Sequence, residues 1–375
     1  MGRKDFLSGA EAVVEGAILA GCRFYAGYPI TPASEIMEIM ARRMPQVGGV
    51  FIQFEDEIAS INAIIGASWA GLKAMTATSG PGFSLMQEGI GLAIMTETPI
   101  VIVDTMRAGP STGIPTKSTQ GDIMQSRWGS HGHYEIVTYA PSTIQEVYDV
   151  TIEAFNTSEK YRVPVIVTMD GLFTHLRESL VLRDVEEVTI VNRKTPKVPP
   201  EEYLPYKPDE DLVPPMANFG EGYYVFVEAL AHNYKGYYDE TSYCELVKRL
   251  SDKILKNVND IVRSKSIFTE DAETLIVAYG AISRPVRAYV KMKRKQGEKF
   301  GLFRPLTIWP LDKSGLLKAA KKAKRVFVFE GNYGQLYLEV DRVLKDKEVY
   351  LIPWLKVGVP SIYEVEEAMN EWVKK

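Results

Sequence analysis

The sequence is poor in cysteine. Its only two cysteines among 375 residues are Cys22 and Cys244, and neither has the close Cys or His neighbours that zinc sites and iron–sulfur motifs show. The chain by itself is therefore expected to hold no iron–sulfur cluster. Two cysteines this far apart also suit a thiol-reducing compartment better than an oxidising one.

Long apolar runs and a strong excess of charge are also missing. No run of about 18 uncharged apolar residues occurs, and no apolar signal region precedes Glu11. We therefore expect a cytoplasmic protein that neither spans nor binds a membrane. The formal net charge of −4 gives no large positive field, so nucleic acid is not an expected partner.

The composition is that of a folded globular protein of more than one domain. Hydrophobic residues make up 46% of the chain and charged residues 25%, which excludes disordered and collagen-like classes. A chain of 375 residues is also too long for a single core. We divide it into residues 1–190, 191–268 and 269–375.

The first part has the alternating pattern of an α/β domain. Six β-rich runs are separated by helical patterns, and they read RFYAG, VFIQFE, KAMTATS, PIVIVDT, EIVTYA and VPVIVTMD. Nearly continuous apolar strands of this kind predict a parallel sheet with helices on both faces. One predicted helix, from Glu57 to Trp69, carries Ile58, Ile61 and Ile65 and is apolar nearly all round, which indicates a buried helix.

The middle part reads as a linker or an arm. Seven prolines between residues 196 and 215 make regular structure unfavourable there. Ten aromatic residues between Tyr203 and Tyr243 are too many for a solvated spacer, so the arm is expected to pack on this chain or on another. One amphipathic helix is predicted from Leu246 to Ile261.

The last part is predicted to be a second, smaller α/β domain, with strands in TLIVAYG, FRPLTIW, RVFVFEG and EVYLIPWL. Fourteen Lys or Arg residues and only two acids lie between Arg284 and Arg325. This basic stretch is either a solvated helical face or a dock for an anionic partner or a phosphorylated cofactor.

Candidate site residues follow the predicted strands, because ligands of open α/β sheets bind at the carboxyl ends of the strands. After RFYAG comes GYPITPASE, in which Thr31 is predicted to cap a helix with Pro32 at its first position. The free N–H groups of such a helix start could bind an anion. The alternative is that Thr31 only caps its helix.

After VFIQFE comes the acidic run Glu55, Asp56 and Glu57. Three adjacent acids are usually a solvated helix start that the helix dipole favours. If Glu57 instead points inward at the head of the apolar helix, burial would raise the pKa of its carboxyl and suit it to proton exchange with a buried heterocycle.

The turn GPGFSL after KAMTATS, with Asp104 in the next strand, raises the possibility of a dinucleotide site. The fit is imperfect, because Leu85 replaces the small residue that allows close helix packing and Pro81 stiffens the turn. After PIVIVDT, Arg107 opens an irregular loop rich in Gly, Pro, Ser and Thr. It could clamp a carboxylate or serve a structural role by binding loop carbonyls.

His131 and His133 could share one face of a strand and bind a metal, but no third ligand has matching spacing. A loop pair that hydrogen-bonds to backbone is the better interpretation. We therefore assign no metal ligand.

Three stretches of the sequence resemble a known family. They are AGYPITPASE, the segment from GGVFIQFEDE through GPGFSLMQEG, and TETPIVIVDTMRAGPSTGIPTKSTQGD. Together they are similar to the alpha subunits of 2-oxoacid:ferredoxin oxidoreductases, nearest to the 2-oxoglutarate branch. The resemblance covers most of residues 8–180. It implies a pyrimidine-binding domain of the thiamine-diphosphate fold, followed by a domain like the C-terminal domain of transketolase.

The resemblance also implies a reaction and the roles of five residues. A 2-oxoacid such as 2-oxoglutarate loses CO₂ on thiamine diphosphate, electrons pass through iron–sulfur clusters to ferredoxin, and coenzyme A takes the acyl group. By its position before IASINAIIGAS, Glu57 would be the glutamate that activates the cofactor. Thr31 and Arg107 would bind the substrate carboxylate and keto group, and Tyr28 and Pro29 would line the pyrimidine pocket.

One motif of thiamine enzymes is missing. The diphosphate is normally held through Mg²⁺ by a Gly-Asp-Gly motif, whereas Gly121-Asp122 is followed here by Ile123. The resemblance therefore implies that a beta subunit supplies the diphosphate site, the Mg²⁺ and the iron–sulfur cluster, and that gamma and delta subunits are further candidate partners. The alternatives are a branched-chain or other 2-oxoacid as substrate, a non-catalytic scaffold subunit and a nicotinamide-dependent dehydrogenase.

Overall fold

The computed structural model describes residues 2–373. The strands are β1 Arg3–Ser8, β2 Cys22–Gly27, β3 Val50–Gln53, β4 Lys73–Thr78, β5 Val101–Met106, β6 Val137–Tyr139, β7 Val165–Asp170, β8 Arg177–Leu182, β9 Ser264–Ile267, β10 Thr274–Val277, β11 Phe300–Pro305, β12 Thr307–Trp309, β13 Arg325–Glu330 and β14 Glu348–Pro353. The helices are α1 Gly9–Leu19, α2 Ser34–Arg43, α3 Glu57–Trp69, α4 Gly80–Leu85, α5 Gln87–Met95, α6 Gln125–Trp128, α7 Ile144–Tyr161, α8 Tyr243–Leu255, α9 Val258–Ile261, α10 Ser283–Lys295, α11 Lys313–Ala319, α12 Tyr337–Val343 and α13 Ile362–Val373. None of these helices is both long and apolar enough to cross a bilayer.

A seven-stranded sheet forms the core of the first part of the chain, with the order β12-β6-β7-β5-β4-β2-β3. The six strands predicted there, β2 to β7, are all present and mutually parallel. Every residue of β4, β5 and β7 is buried, as their continuous apolar sequences predict. Helices α1, α2 and α7 pack on one face, and α3 and α5 pack on the other.

A five-stranded sheet forms the second domain, with the order β14-β13-β10-β11-β9. Its strands β14, β13, β10 and β11 are parallel, and β9 is antiparallel to β11. The predicted smaller α/β domain is therefore confirmed.

The segment FRPLTIW was predicted as one strand and is two. β11 ends at Pro305, and β12 begins two residues later at Thr307 and joins the edge of the other sheet beside β6. β9 also belongs to the second sheet, although it lies within residues 191–268. The two boundaries stay predictions, and these two strands tie the parts of the chain together across them.

The proline-rich arm packs against this chain. Tyr203, Tyr206 and Met216 are buried, although the segment from 196 to 215 has only a short turn of 3-10 helix. The predicted single helix over 246–261 is wrong, because the chain forms α8 and then a separate α9. Leu246, Leu250, Ile254 and Ile261 are nevertheless buried, so the apolar spacing identified the packed face correctly.

A buried ion cluster fastens the arm and α8 to the first domain. Glu97 accepts hydrogen bonds from Arg249 Nη2 at 2.6 Å and from Lys253 Nζ at 2.8 Å, and all three side chains are buried. Arg162, which is also fully enclosed, donates to the carbonyls of Pro214 and Pro215, each at 3.2 Å. These contacts supply hydrogen-bond donors to carbonyl oxygens that have no partner in a helix or a sheet, because the proline-rich segment is irregular.

Candidate active site

The strand order brings four chemically informative segments together. Strands β5, β4, β2 and β3 are adjacent and parallel, so their carboxyl ends lie side by side at one edge of the sheet. The segments that follow them begin at Arg107, Ser79, Tyr28 and Phe54 respectively. The candidate residues predicted from separate stretches of sequence therefore fall in one region.

Three candidate residues, Tyr28, Pro29 and Thr31, lie exposed in the segment after β2. The predicted capping role of Thr31 is wrong, because α2 begins at Ser34, its N-cap residue is Ala33, and no side chain caps it. Thr31 therefore has no part in starting the helix. Its exposed side chain remains available to a ligand.

The three adjacent acids have three different environments. Glu55 is exposed, Asp56 caps α3 by accepting a hydrogen bond from the Ala59 N–H at 2.7 Å, and Glu57 is only 4% exposed. Asp56 is therefore the residue that caps the predicted helix, and Glu57 is the acid that points inward. The prediction for α3 was correct in its bounds, although Ile58 on its surface is 48% exposed.

The Glu57 carboxyl lies against the backbone of the next segment. A Cβ built on Gly82 would overlap both Glu57 Oε1 and the hydroxyl of Thr78, so this approach requires glycine. Burial raises the pKa of the Glu57 carboxyl, the Asp56 carboxylate raises it further, and the positive charge of Arg107 opposes both. Glu57 therefore holds a proton more strongly than an ordinary glutamate.

Arg107 and Thr31 are brought into contact. Arg107 Nη1 donates a hydrogen bond to the Thr31 carbonyl oxygen at 2.8 Å, while its Nε is enclosed and has no partner among the described residues. The Thr31 carbonyl thus holds one end of the guanidinium. Burial lowers the pKa of Arg107, and the acids Asp122 and Glu57 raise it.

Sequence reasoning missed the pairing of Asp104 with Asp122. Asp104 is fully buried in β5, and Asp122 follows the loop that Arg107 opens. Burial raises the pKa of Asp104 well above its usual range and the pKa of Asp122 to about 6, and each carboxyl group affects the pKa of the other. From the sequence, Asp104 was considered as part of a dinucleotide site, and Asp122 as part of an incomplete Gly-Asp-Gly motif. No spacing rule connects the two residues.

The alternative sites are not supported by the geometry. A ribose hydroxyl cannot reach Asp104, because the residue is 0% exposed, so the dinucleotide interpretation is wrong. His131 and His133 are exposed in a loop and do not share a strand. Within residues 2–373, no group of three or more His, Cys, Asp or Glu side chains is placed to hold a metal ion.

Exposed apolar side chains lie on the elements next to the site, and we call them the apolar rim. They are found on the segment after β2, on the edge strand β3, and on α3 and α4, namely Tyr28, Val50, Ile52, Ile58 and Leu85. Several exposed hydrophobic side chains on neighbouring elements are typical of a surface that another protein covers.

The basic stretch between residues 284 and 325 is partly neutralised. Arg284 pairs with Glu178, Arg294 pairs with Asp271 at 2.8 Å, and Lys299 and Lys324 share Glu273 at 2.9 and 2.6 Å. Acids from outside the stretch therefore offset part of its charge, which favours the solvated-face interpretation over a dedicated dock.

The sequence matches two family descriptions. Residues 15–249 match "Pyruvate flavodoxin/ferredoxin oxidoreductase, thiamine diP-bdg", and residues 272–358 match "Pyruvate:ferredoxin oxidoreductase core domain II".

Curated relatives cover the chain nearly end to end. The 2-oxoglutarate synthase subunit KorA of Methanocaldococcus jannaschii is 52% identical over 97% of this chain and 99% of its own. Subunit KorA of Methanothermobacter thermautotrophicus is 48% identical over 100% of this chain and 99% of its own. The ketoisovalerate oxidoreductase subunit VorB of the latter organism is 35% identical over 98% and 97%.

Two solved structures share the fold. The 2-oxoglutarate:ferredoxin oxidoreductase from Magnetococcus marinus, with 2-oxoglutarate, coenzyme A and succinyl-CoA bound, has a TM-score of 0.90 and 33% identity, and it is matched over 98% of this chain and 65% of that chain. This chain is therefore the shorter of the two. A split-gene transketolase, an inactive beta4 tetramer, has a TM-score of 0.52 and 13% identity over 97% of each chain, which shows the fold alone.

These matches confirm the predicted resemblance and the predicted fold of both domains. The relatives are named as subunits, so the chain is one component of a larger enzyme. The chain belongs to the thiamine-diphosphate-binding family of pyruvate and 2-oxoacid ferredoxin oxidoreductases.

Proposed function

We propose that this chain is the alpha subunit of a cytoplasmic 2-oxoglutarate:ferredoxin oxidoreductase. The reaction converts 2-oxoglutarate and coenzyme A to succinyl-CoA and CO₂ and reduces ferredoxin. The observation that carries this proposal is the enclosed carboxyl of Glu57 at the carboxyl edge of the sheet, where the positive charge of Arg107 acts on it. Relatives that share 48–52% of their residues with this chain are named 2-oxoglutarate synthase subunits, which supports the choice of substrate.

The residues at the carboxyl edge of the sheet fit the pyrimidine half of thiamine diphosphate. A buried acid with a raised pKa suits a ring that exchanges a proton, and Tyr28 and Pro29 offer exposed apolar surface beside it. When bound, thiamine diphosphate supplies the nucleophilic carbon and the electron sink that decarboxylation of a 2-oxoacid requires. Glu57 holds and returns a proton at its carboxyl oxygen.

Arg107 and Thr31 anchor the 2-oxoacid. The Arg107 guanidinium, held at Nη1 by the Thr31 carbonyl, pairs with the substrate carboxylate, for which arginine has the matching planar geometry. Thr31 is exposed, and its hydroxyl donates to a substrate oxygen. Together the two groups fix the keto carbon for attack.

A beta subunit completes the site. It supplies the diphosphate-binding half with its Mg²⁺, and also the iron–sulfur cluster, and it covers the apolar rim formed by Tyr28, Val50, Ile52, Ile58 and Leu85. Gamma and delta subunits and ferredoxin complete the assembly. The enclosed Glu57 would supply one half of the cofactor site, and the exposed apolar rim would supply the surface on which the beta subunit binds.

The test is turnover of 2-oxoglutarate by the assembled complex with coenzyme A and ferredoxin. We expect no turnover by this chain alone, and thiamine-dependent turnover by the complex. Replacing Glu57 by Gln should lower kcat by at least about 10³-fold, within the range that positioned acid–base groups contribute. Wild-type turnover in E57Q would reject the assignment, and faster turnover of 2-oxoisovalerate than of 2-oxoglutarate would reject the substrate.

A further inference from the structure

A cavity of about 480 Å³ lies between the two α/β domains. The first domain contributes Pro32 and side chains within residues 171–176, and the second domain contributes side chains within residues 281–285 and residues 358–359. The loop after β5 supplies a third wall with residues 115–118. No step described above uses this cavity, although its volume is within the range of small-molecule sites.

Most of the cavity surface is apolar. The side chains of Pro32, Pro115, Leu172, Leu176 and Val359 line it. Apolar walls with a few polar groups are typical of a small-molecule site. A ligand of this cavity is therefore expected to have an apolar body.

The charged side chains that line the cavity are all basic. They are Lys117, His175 and Arg284, and among residues 2–373 no Asp or Glu lines the cavity. Glu178 pairs with Arg284, and Glu35 Oε1 lies 3.4 Å from His175 Nδ1. The exposed ammonium group of Lys117 has no partner within the described part of the chain. An anion that enters the cavity therefore meets an excess of positive charge.

The backbone of the loop wall is held in place from both domains. The Lys117 carbonyl oxygen accepts a hydrogen bond from the Ala108 N–H at 2.8 Å, within the first domain. The next carbonyl oxygen, that of Ser118, accepts from the Gly358 N–H of the second domain at 2.9 Å. The cavity is thus built by ordered backbone that joins the two domains.

Two polar groups on the lining residues lack a partner. Ser118 is 7% exposed, and its hydroxyl has no hydrogen-bond partner among the described residues. Arg284 donates from Nη2 to Glu178, whereas its Nη1 is enclosed without an acceptor. The Arg284 side chain is 38% exposed, so its guanidinium has the freedom to turn toward a ligand. A hydroxyl and a guanidinium N–H are donors that suit a carboxylate or phosphate oxygen.

We propose that this cavity binds a small organic anion. Its carboxylate or phosphate group accepts hydrogen bonds from Arg284 and Ser118 and pairs with Lys117, and its apolar chain packs against Leu176 and Val359. Free carboxylic acids and phosphate esters share this chemistry. The site goes beyond the proposed function, because it contains neither Glu57 nor the substrate anchors.

Titration calorimetry of the assembled complex with hexanoate and with hexyl phosphate tests the proposal. The two probes carry the same chain and differ in the anionic group. We expect at least one of them to bind once per copy of this chain, with a dissociation constant of about 1 mM or lower. Binding of hexanoate alone assigns the site to free carboxylic acids, and binding of hexyl phosphate alone assigns it to phosphate esters.

Variants of the lining residues locate the bound probe. Lys117→Met and Arg284→Met should each weaken binding by about tenfold, because each removes a charge-assisted contact. Val359→Trp adds volume to the wall without changing its charge, and it should also weaken binding. Lys356→Met is the matched control and should leave the affinity unchanged, since Lys356 is exposed near Val359 but does not line the cavity.

The thermal midpoint of each variant establishes that it is folded. Val359→Trp keeps the test valid if a charge variant does not fold, because it retains every cation of the cavity. The inference is overturned if neither probe binds the wild-type complex, if the folded cavity variants bind the probe like the wild type, or if K356M loses as much affinity as K117M. The proposed function is tested by turnover and this site by binding, so the failure of one is distinguishable from the failure of the other.

Discussion

A methyl group added at Gly82 tests where Glu57 lies without changing its carboxyl chemistry. The Cβ of an alanine there would overlap Glu57 Oε1 and Thr78 Oγ1, at separations that real Cβ atoms do not show. Thr78 belongs to a strand in which every residue is buried, so the Glu57 carboxyl is the group with more freedom to move. Gly82→Ala should therefore displace the carboxyl and leave the fold intact.

The expected loss follows from the size of the displacement. The carboxyl must move by about 1 Å to restore ordinary contact, and a misplacement of that size costs about 10²-fold in rate, or about 3 kcal/mol of barrier. The assay is ferredoxin reduction by the assembled complex at saturating 2-oxoglutarate and coenzyme A. Circular dichroism and the thermal midpoint establish that the variant is folded.

Gly66→Ala is the matched control. Gly66 lies in the same helix as Glu57, and a Cβ there would have no heavy atom within 4 Å. Alanine should stabilise that helix position by up to about 1 kcal/mol and leave turnover unchanged. Wild-type activity in G82A, or an equal loss in G66A, would refute the placement of Glu57.

Two further predictions concern stability. Replacing Glu97 by Gln leaves the buried cations Arg249 and Lys253 without their counterion, and it should lower the free energy of unfolding by about 3–5 kcal/mol in urea titrations; an unchanged urea midpoint would contradict the anchoring role of this cluster. Burial raises the pKa of the Asp170 carboxyl to about 6, against the hydrogen bond it accepts from the Ala281 N–H at 2.8 Å. Between about pH 4 and pH 6 the folded chain therefore binds the proton more strongly than the unfolded chain, and the free energy of unfolding should fall by up to about 3 kcal/mol as the pH rises, a slope that Asp170→Asn should flatten. A slope of the opposite sign in this interval, with the same slope in D170N, would contradict the assignment.

The strands were predictable because each is a short apolar run with turn residues on both sides. Val101–Met106 and Val165–Asp170 read as strands buried on both faces, and they are. The bounds of the helix Glu57–Trp69 were predictable for a similar reason, because an acidic start precedes a long apolar pattern. Which of the three acids points inward required the structure, because all three suit a helix start equally well.

The errors arose where tertiary contacts override local signals. Thr31-Pro32 resembles a helix start, yet α2 begins at Ser34 with no side-chain cap. FRPLTIW is continuous in pattern, yet Thr307 leaves one sheet for another because an edge position beside β6 is available. The pairing of Asp104 with Asp122 depends on the path of a loop, and local periodicity contains no information about it.

Exchange of the C2 proton of thiamine diphosphate in the assembled complex tests the central claim most directly. We expect rapid exchange in the wild type, exchange slowed by at least about 10³-fold in Glu57→Gln, and unchanged exchange in Glu55→Gln, whose side chain is exposed two residues earlier. Equal exchange rates in the wild type and E57Q, or a comparable loss in E55Q, would contradict the claim that the buried carboxyl of Glu57 activates the cofactor.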